Sequence, residues 1–127
     1  MSKEFFDMLK KSKTVIALDF DGVIHNDNLG YHDGSIYGDP IEGSKPALEH
    51  LSKSYTLVIY SCKSNPTRPL VDGKTGTELI WEWLEKWEMK QYISDVVWGK
   101  PNACVYIDDK GIGFKNWSQT LYDFVRL

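Results

Sequence analysis

The stretch that most constrains this chain is Thr14-Val15-Ile16-Ala17-Leu18, an unbroken apolar run that stops abruptly at Asp19-Phe20-Asp21-Gly22. A strand with one face in water alternates apolar and polar residues, and this run does not. It reads as a strand buried on both faces, closed by polar residues and glycine. Burial on both faces is the mark of a parallel sheet covered by helices, so the fold class predicted is α/β.

The rest of the chain alternates in the same sense. Lys3 to Lys11 places Phe5, Phe6, Met8 and Leu9 at spacings of a short amphipathic helix. Residues 26–43 are rich in Gly, Asp, Asn and Tyr without a sustained period, and read as a loop or small hairpin flap beyond the first strand. Such a segment can cover a pocket but cannot build a lid domain. Ser44 is a candidate N-cap for a helix through Ala47, Leu48 and Leu51, with Pro46 in its first turn. Tyr55 to Tyr60 is a second buried strand ending at Ser61, and residues 65–76 form a loop. From Thr77, Leu79, Ile80, Trp83, Leu84 and Trp87 share one helical face opposite Glu85 and Glu88. Val96–Trp98 and Ala103–Ile107 are short third and fourth strands. Trp117, Leu121 and Phe124 suggest a closing helix, with an edge strand over Leu121–Leu127 as the alternative. At 127 residues the expectation is one domain, 1–127, with a mostly parallel sheet and right-handed crossovers.

Composition narrows the classes. Five Trp and seven Tyr require a core to bury them and argue against disorder. No apolar run approaches the roughly 18–20 residues that span a membrane. The N-terminus has an early acid and no small-residue cleavage site, so a cytoplasmic location is the expectation. Cys62 and Cys104 lie in or beside apolar runs with no CxxC, and read as small buried hydrophobes. A net charge of −3 offers no general attraction to nucleic acid or anionic membrane.

Four polar features fall at or just beyond the C-terminal ends of predicted strands: Asp19 with Asp21, then Ser61, then Lys100, then Asp108 with Asp109. Ligands of open α/β sheets bind outside those ends, so a parallel sheet brings these distant residues together. Several carboxylates in one cleft repel each other unless a cation joins them. All-oxygen donors without His or Cys point to a hard ion, Mg²⁺. Lys100 and the Ser61 hydroxyl add a positive charge and a donor for an anionic substrate, with Cys62 beside Ser61 as a further phosphate contact. These are the parts that phosphoryl transfer needs. One carboxylate can act as nucleophile while another serves as general acid and then general base.

Asp19-Phe20-Asp21-Gly22-Val23-Ile24 resembles the first motif of the haloacid dehalogenase superfamily. Ser61 after Leu57-Val58-Ile59-Tyr60 resembles the second, Lys100-Pro101 the third, and Ile107-Asp108-Asp109 the fourth. The stretch from Gly99 to Trp117 is most similar to small bacterial and phage members described as capsule-biosynthesis phosphatases. The resemblance implies a Rossmann-like three-layer sandwich without a cap domain and a Mg²⁺-dependent phosphatase working through a phosphoaspartate. It implies Asp19 as nucleophile and metal ligand, and Asp21 as acid and base with its backbone carbonyl on the metal. Ser61 and Lys100 would hold the phosphoryl group, Lys100 would offset the charge of Asp19, and Asp108 with Asp109 would complete the metal site. Only residues 101–107 separate Lys100 from Asp108, where many members insert a helix, so this Lys belongs to the loop before the fourth strand.

Other readings compete. DxDG also occurs in calcium loops, but those continue with oxygen ligands where this chain has Val23 and Ile24. His25 and His32 are candidate acid/base groups or substrate contacts. Lys63, Arg68 and Lys74, on the loop after the second strand, are either solvated charges or ligands for a second anionic group. Trp98 and Trp117 flank the predicted cleft as candidate walls. An open cleft suits a phosphorylated substrate such as a sugar phosphate, a nucleotide or, less well given the net acidity, the 3′-phosphate end of a nucleic acid. An oligomeric partner remains open. A receiver-type phosphoacceptor is the alternative in another class, although there the acidic pair comes first; an inactive binding module is a third.

Overall fold

The structure is a computed structural model that describes residues 14–108 and 113–125. The helix expected over Lys3–Lys11 and the acid Asp109 lie outside the described residues. Four strands, β1 (Val15–Asp19), β2 (Thr56–Tyr60), β3 (Asp95–Val97) and β4 (Val105–Ile107), form one sheet with every neighbouring pair parallel. Helices α1 (Ser44–Ser52), α2 (Gly76–Lys86) and α3 (Trp117–Val125) flank it, giving the expected α/β architecture.

The order across the sheet is β3-β2-β1-β4. The chain therefore builds outward from β1 in one direction through β2 and β3, then crosses to the other side of β1 for β4. The point where that direction reverses lies between β1 and β4, and a crevice opens beyond the strand ends there. The 3-2-1-4 order is the dinucleotide-fold type. A receiver domain instead sets β1 between β2 and β3, so the receiver alternative does not fit this topology.

The core is continuous across the sheet. Ile16, Leu18, Leu57, Ile59 and Ile107 are fully buried, and Leu48, Ile80, Leu84 and Trp83 of the helices close over them. Thr75 caps α2 with a reciprocal capping box: its hydroxyl accepts from Glu78 N–H, and the Glu78 carboxylate accepts from Thr75 N–H. Leu79 and Trp87, placed on the apolar face in the sequence, are half-buried at its margins.

Two expectations change. Ser44 is not the cap of α1 but its first residue, because Gly43 takes the preceding position in a left-handed conformation (φ 87°). The Ser44 hydroxyl turns inward instead and accepts from the Trp117 indole N–H at 3.1 Å. The closing helix expected from Trp117 is present, which leaves the edge-strand alternative without support, but the role of Trp117 itself differs. Trp117 also donates to the Val23 carbonyl at 3.1 Å and is 2% exposed. It is thus a strut between α3, α1 and the turn after β1, and not a pocket wall. No helix among the described residues is long and apolar enough to cross a membrane.

Candidate active site

The site is built on the turn that ends β1. The N–H groups of Ile24 and His25 both donate to the Phe20 carbonyl, at 2.9 and 3.0 Å, and Gly22 N–H donates to His25 C=O at 2.9 Å. This tight reversal folds His25 back beneath Asp21, and His25 Nδ1 stands 2.8 Å from Asp21 Oδ1. On the other side of the ring, Gly38 N–H donates to His25 Nε2 at 3.0 Å. An amide can only donate, so Nε2 carries no proton. The imidazole is therefore neutral, and its Nδ1–H donates to Asp21. His25 is fully buried, stacked on Phe20 and edged by Trp83. The ring positions Asp21 and has no access to a substrate, which removes it as an acid/base candidate.

Gly38 is required by the closeness of this contact. A Cβ there would lie 2.0 Å from the Asn26 carbonyl oxygen and 2.9 Å from His25 Nε2. Its carbonyl accepts from the Trp83 indole at 2.9 Å, so one glycine ties flap, histidine and α2 together.

The second oxygen of Asp21 accepts from Lys63 Nζ at 2.9 Å. Lys63 is only 7% exposed, so it is a buried partner and not the solvated charge that loop lysines usually are. Local structure delivers it there. Ser61 Oγ accepts from Lys63 N–H at 3.1 Å and caps the single 3₁₀ turn Cys62–Ser64 that follows β2. The first residue of α2, Gly76, packs so tightly on that turn that a Cβ would come within 1.6 Å of the Lys63 carbonyl oxygen. Burial works to raise the pKa of Asp21, but the His25 N–H and the Lys63 ammonium outweigh it and hold the carboxyl below its ordinary range. Asp21 is ionised and fixed at both oxygens.

The other half of the site lies across the β1–β4 crevice. The register Leu18↔Ile107 and Asp19↔Tyr60 sets Asp19 level with Tyr60 on one side and with Asp108 on the other. Asp19 Oδ1 accepts from Phe20 N–H at 2.8 Å. Asp108 is 9% exposed; it accepts from the Tyr60 hydroxyl, and its Oδ2 lies 2.9 Å from Lys100 Nζ. Lys100 comes from the loop before β4, as expected, and sits over the Tyr106 ring at 4.5 Å and the Tyr60 ring at 5.7 Å. Lys100 is thus paired with Asp108.

The remaining candidates divide. Cys62 is exposed, correcting its reading as a buried hydrophobe, and with Asp21 and Lys63 it lines a pocket of about 190 Å³ between the flap and the loop after β2. Cys104 is exposed too, its thiol 3.2 Å from the Val15 carbonyl oxygen. Ser61 is buried at the end of β2, and its hydroxyl hydrogen is left to point elsewhere than the cap it accepts. His32 is an exposed flap residue edged on Tyr37. Trp98 is exposed after β3.

No protein-family model and no curated protein matches the chain. Among solved structures it is similar to a hydrolase of the haloacid dehalogenase-like family from Streptococcus pneumoniae. Identity is 13% and the TM-score 0.48, over 89% of this chain and 69% of that one. The chemistry of the site therefore rests on this chain's own residues.

Among the described residues no three His, Cys, Asp or Glu side chains gather closely enough to hold an ion as a cage. Mg²⁺ seldom uses such a cage; it takes one or two carboxylates and fills its shell with water and substrate phosphate. Asp19 and Asp108, level on adjacent strand ends, are hard oxygen donors of that kind, and in chemistry the donor set fits.

Proposed function

We propose that the chain is a Mg²⁺-dependent phosphomonoester hydrolase with Asp19 as nucleophile. The supporting observation is the convergence at one sheet edge of two differently held carboxylates. Asp19 lies level with Asp108 at the strand reversal, and Asp21 is fixed two residues further on by His25 and Lys63.

In the first half-reaction an Asp19 oxygen attacks phosphorus. The ester P–O bond breaks, and the leaving alkoxide takes a proton from Asp21. In the second, Asp21 removes a proton from water, the water oxygen attacks the phosphoaspartate, and phosphate leaves with Asp19 regenerated. The net change is one water consumed per ester. The ionised Asp21 described above is in the state the second half requires; for the first half it must take up one proton from solvent as the ester binds, and the proton it then removes from water restores that form for the next turnover. Its two hydrogen bonds hold it in place for both halves, where misplacement by about 1 Å is costly. Ser61 and Lys100 offer a hydroxyl and an ammonium to the phosphoryl oxygens. Asp19 and Asp108, with the Asp21 carbonyl and Asp109, would hold Mg²⁺, which would supply charge neutralisation for the phosphoryl group.

The flap of residues 26–43 is tied down by bonds from Asn26 N–H to Asp39 C=O and from Ile41 N–H to Ile24 C=O. Among the described residues it forms one side of the pocket lined by Asp21 and Lys63, and a cleft covered by so short a segment would admit larger phosphorylated substrates along with small ones. The test is release of phosphate from a panel of aryl phosphate, nucleotides, sugar phosphates and 3′-phosphorylated oligonucleotides, with Mg²⁺ and with chelator. Turnover of at least one ester, abolished by chelation, is expected; no turnover of any, or turnover indifferent to chelator, defeats the proposal.

A further inference from the structure

Three cations lie on the loop after β2, and the structure separates them. Lys63 turns inward onto Asp21 at 2.9 Å. Lys74 pairs with Glu82 at 2.6 Å, away from the cleft. Arg68 has no carboxylate within ion-pair distance among the described residues. Its guanidinium stacks over the Tyr31 ring of the flap, 5.3 Å from the centroid, and the two together line the pocket whose inner wall is Asp21 and Lys63.

The stack is held from behind. Gly34 leaves room for Tyr31: a Cβ there would meet the Tyr31 hydroxyl and Val71 Cγ2, each at 3.0 Å. Stacking on a ring fixes the plane of a guanidinium while leaving its N–H edge free, and that edge matches a carboxylate or phosphate in bidentate fashion. Asp27 faces the same pocket from beside Gly22, its carboxylate 3.8 Å from where a Cβ would stand. Its charge repels an anion from that wall and leaves the Arg68 side as the favoured end.

We propose that this pocket binds the leaving group of the substrate and that Arg68, held by Tyr31, binds a second anionic group carried on it. The preferred substrate is thus a phosphate ester whose alcohol bears a carboxylate or another phosphate. The proposal takes from the phosphatase reading only that the first phosphoryl group sits at Asp19. Asp21 stands in the wall of this pocket, and the oxygen it would protonate belongs to the same leaving group.

The experiment compares ethyl phosphate, 2-phosphoglycolate and ethylene glycol bisphosphate as substrates of the wild type, Arg68→Ala and Arg68→Lys. It also measures calorimetric binding of the three compounds to Asp19→Asn and to Asp19→Asn/Arg68→Ala. A charge-assisted bidentate contact sets the expected scale at a loss of about 10- to 100-fold. The Arg68→Ala change should lower kcat/KM by that factor for one or both anionic-tailed esters and leave ethyl phosphate within about twofold, with partial recovery in Arg68→Lys. Which of the two esters responds tells carboxylate from phosphate. An equal loss on all three esters, or none on any, overturns the subsite while leaving the phosphatase reading intact. If no ester turns over but Asp19→Asn binds a tailed ester more tightly than ethyl phosphate, and Arg68→Ala removes the difference, the subsite stands and the phosphatase reading fails. Equal binding of all three without turnover refutes both.

Discussion

Replacing Lys63 by Met isolates the interaction on which the geometry of Asp21 rests. Met keeps an unbranched stem of similar length, so packing under α2 is largely preserved while the ammonium 2.9 Å from Asp21 is removed. Removing one partner of a fully buried ion pair costs about 3–5 kcal/mol. Here the Asp21 side chain is 28% exposed toward the pocket and keeps its bond from His25, so water recovers part of that loss. A cost of about 2 kcal/mol is the appropriate scale. For a domain of this size that lowers the melting temperature by about 6–10 °C. The pH dependence has a definite sign. The folded-state pKa of Asp21 lies below its unfolded value, so the stability it contributes is complete above the ordinary carboxylate range and lost as pH falls through the folded value. The gap between wild type and Lys63→Met should therefore be full at neutral pH and close in acid. Thermal unfolding followed by circular dichroism across that range measures it. A variant that melts with the wild type at neutral pH, or a gap that persists unchanged in acid, would refute an electrostatic role for Lys63.

Three further outcomes follow from the structure. Gly38→Ala forces a Cβ against the Asn26 carbonyl and His25 Nε2, and should destabilise the protein by about 2–4 kcal/mol through overpacking and loss of the flap's hydrogen bonds, read by denaturant unfolding. Trp117→Phe keeps most of the buried ring but leaves the Val23 carbonyl and Ser44 hydroxyl without their donor, and should cost about 1–3 kcal/mol in the same assay with little effect on activity. Mg²⁺ at about a hundred times its dissociation constant should stabilise the fold by about 2.7 kcal/mol, visible as a rise in melting temperature that Asp108→Asn reduces; no rise at any Mg²⁺ concentration speaks against the proposed donors.

Much of this fold was legible because its strands are apolar on both faces. Val15–Leu18 and Leu57–Tyr60 could be placed from composition alone, and with them the strand ends that carry Asp19 and Ser61. Strand limits at β3 and β4 shifted by a residue or two, since each keeps only three ladder residues and the flanking apolar residues serve the loops. What could not be read was which charges are buried. Lys63 lies two residues past Ser61 on the same edge, and that position was its signal. Its burial, however, depends on the Ser61 cap and the close approach of Gly76, which are contacts between distant segments. His25 was ambiguous for the same reason: only the Gly38 amide, brought back by the flap, fixes its tautomer and closes it to solvent. Trp117 looked like a pocket wall because it follows the acidic loop, but its indole N–H finds buried acceptors in α1 and the β1 turn.

The nucleophile is the point on which the whole reading turns, and trapping it is the most direct measurement. Wild type and Asp19→Asn are mixed with an aryl phosphate and Mg²⁺, quenched in acid within the first turnovers, digested and mass-analysed for a phosphoryl adduct. The account predicts an adduct on the peptide carrying Asp19 in the wild type, labile to hydroxylamine as an acyl-phosphate should be, and none in Asp19→Asn, which also fails to turn over. An adduct on another residue, or an Asp19→Asn variant that hydrolyses the ester as fast as the wild type, would contradict it.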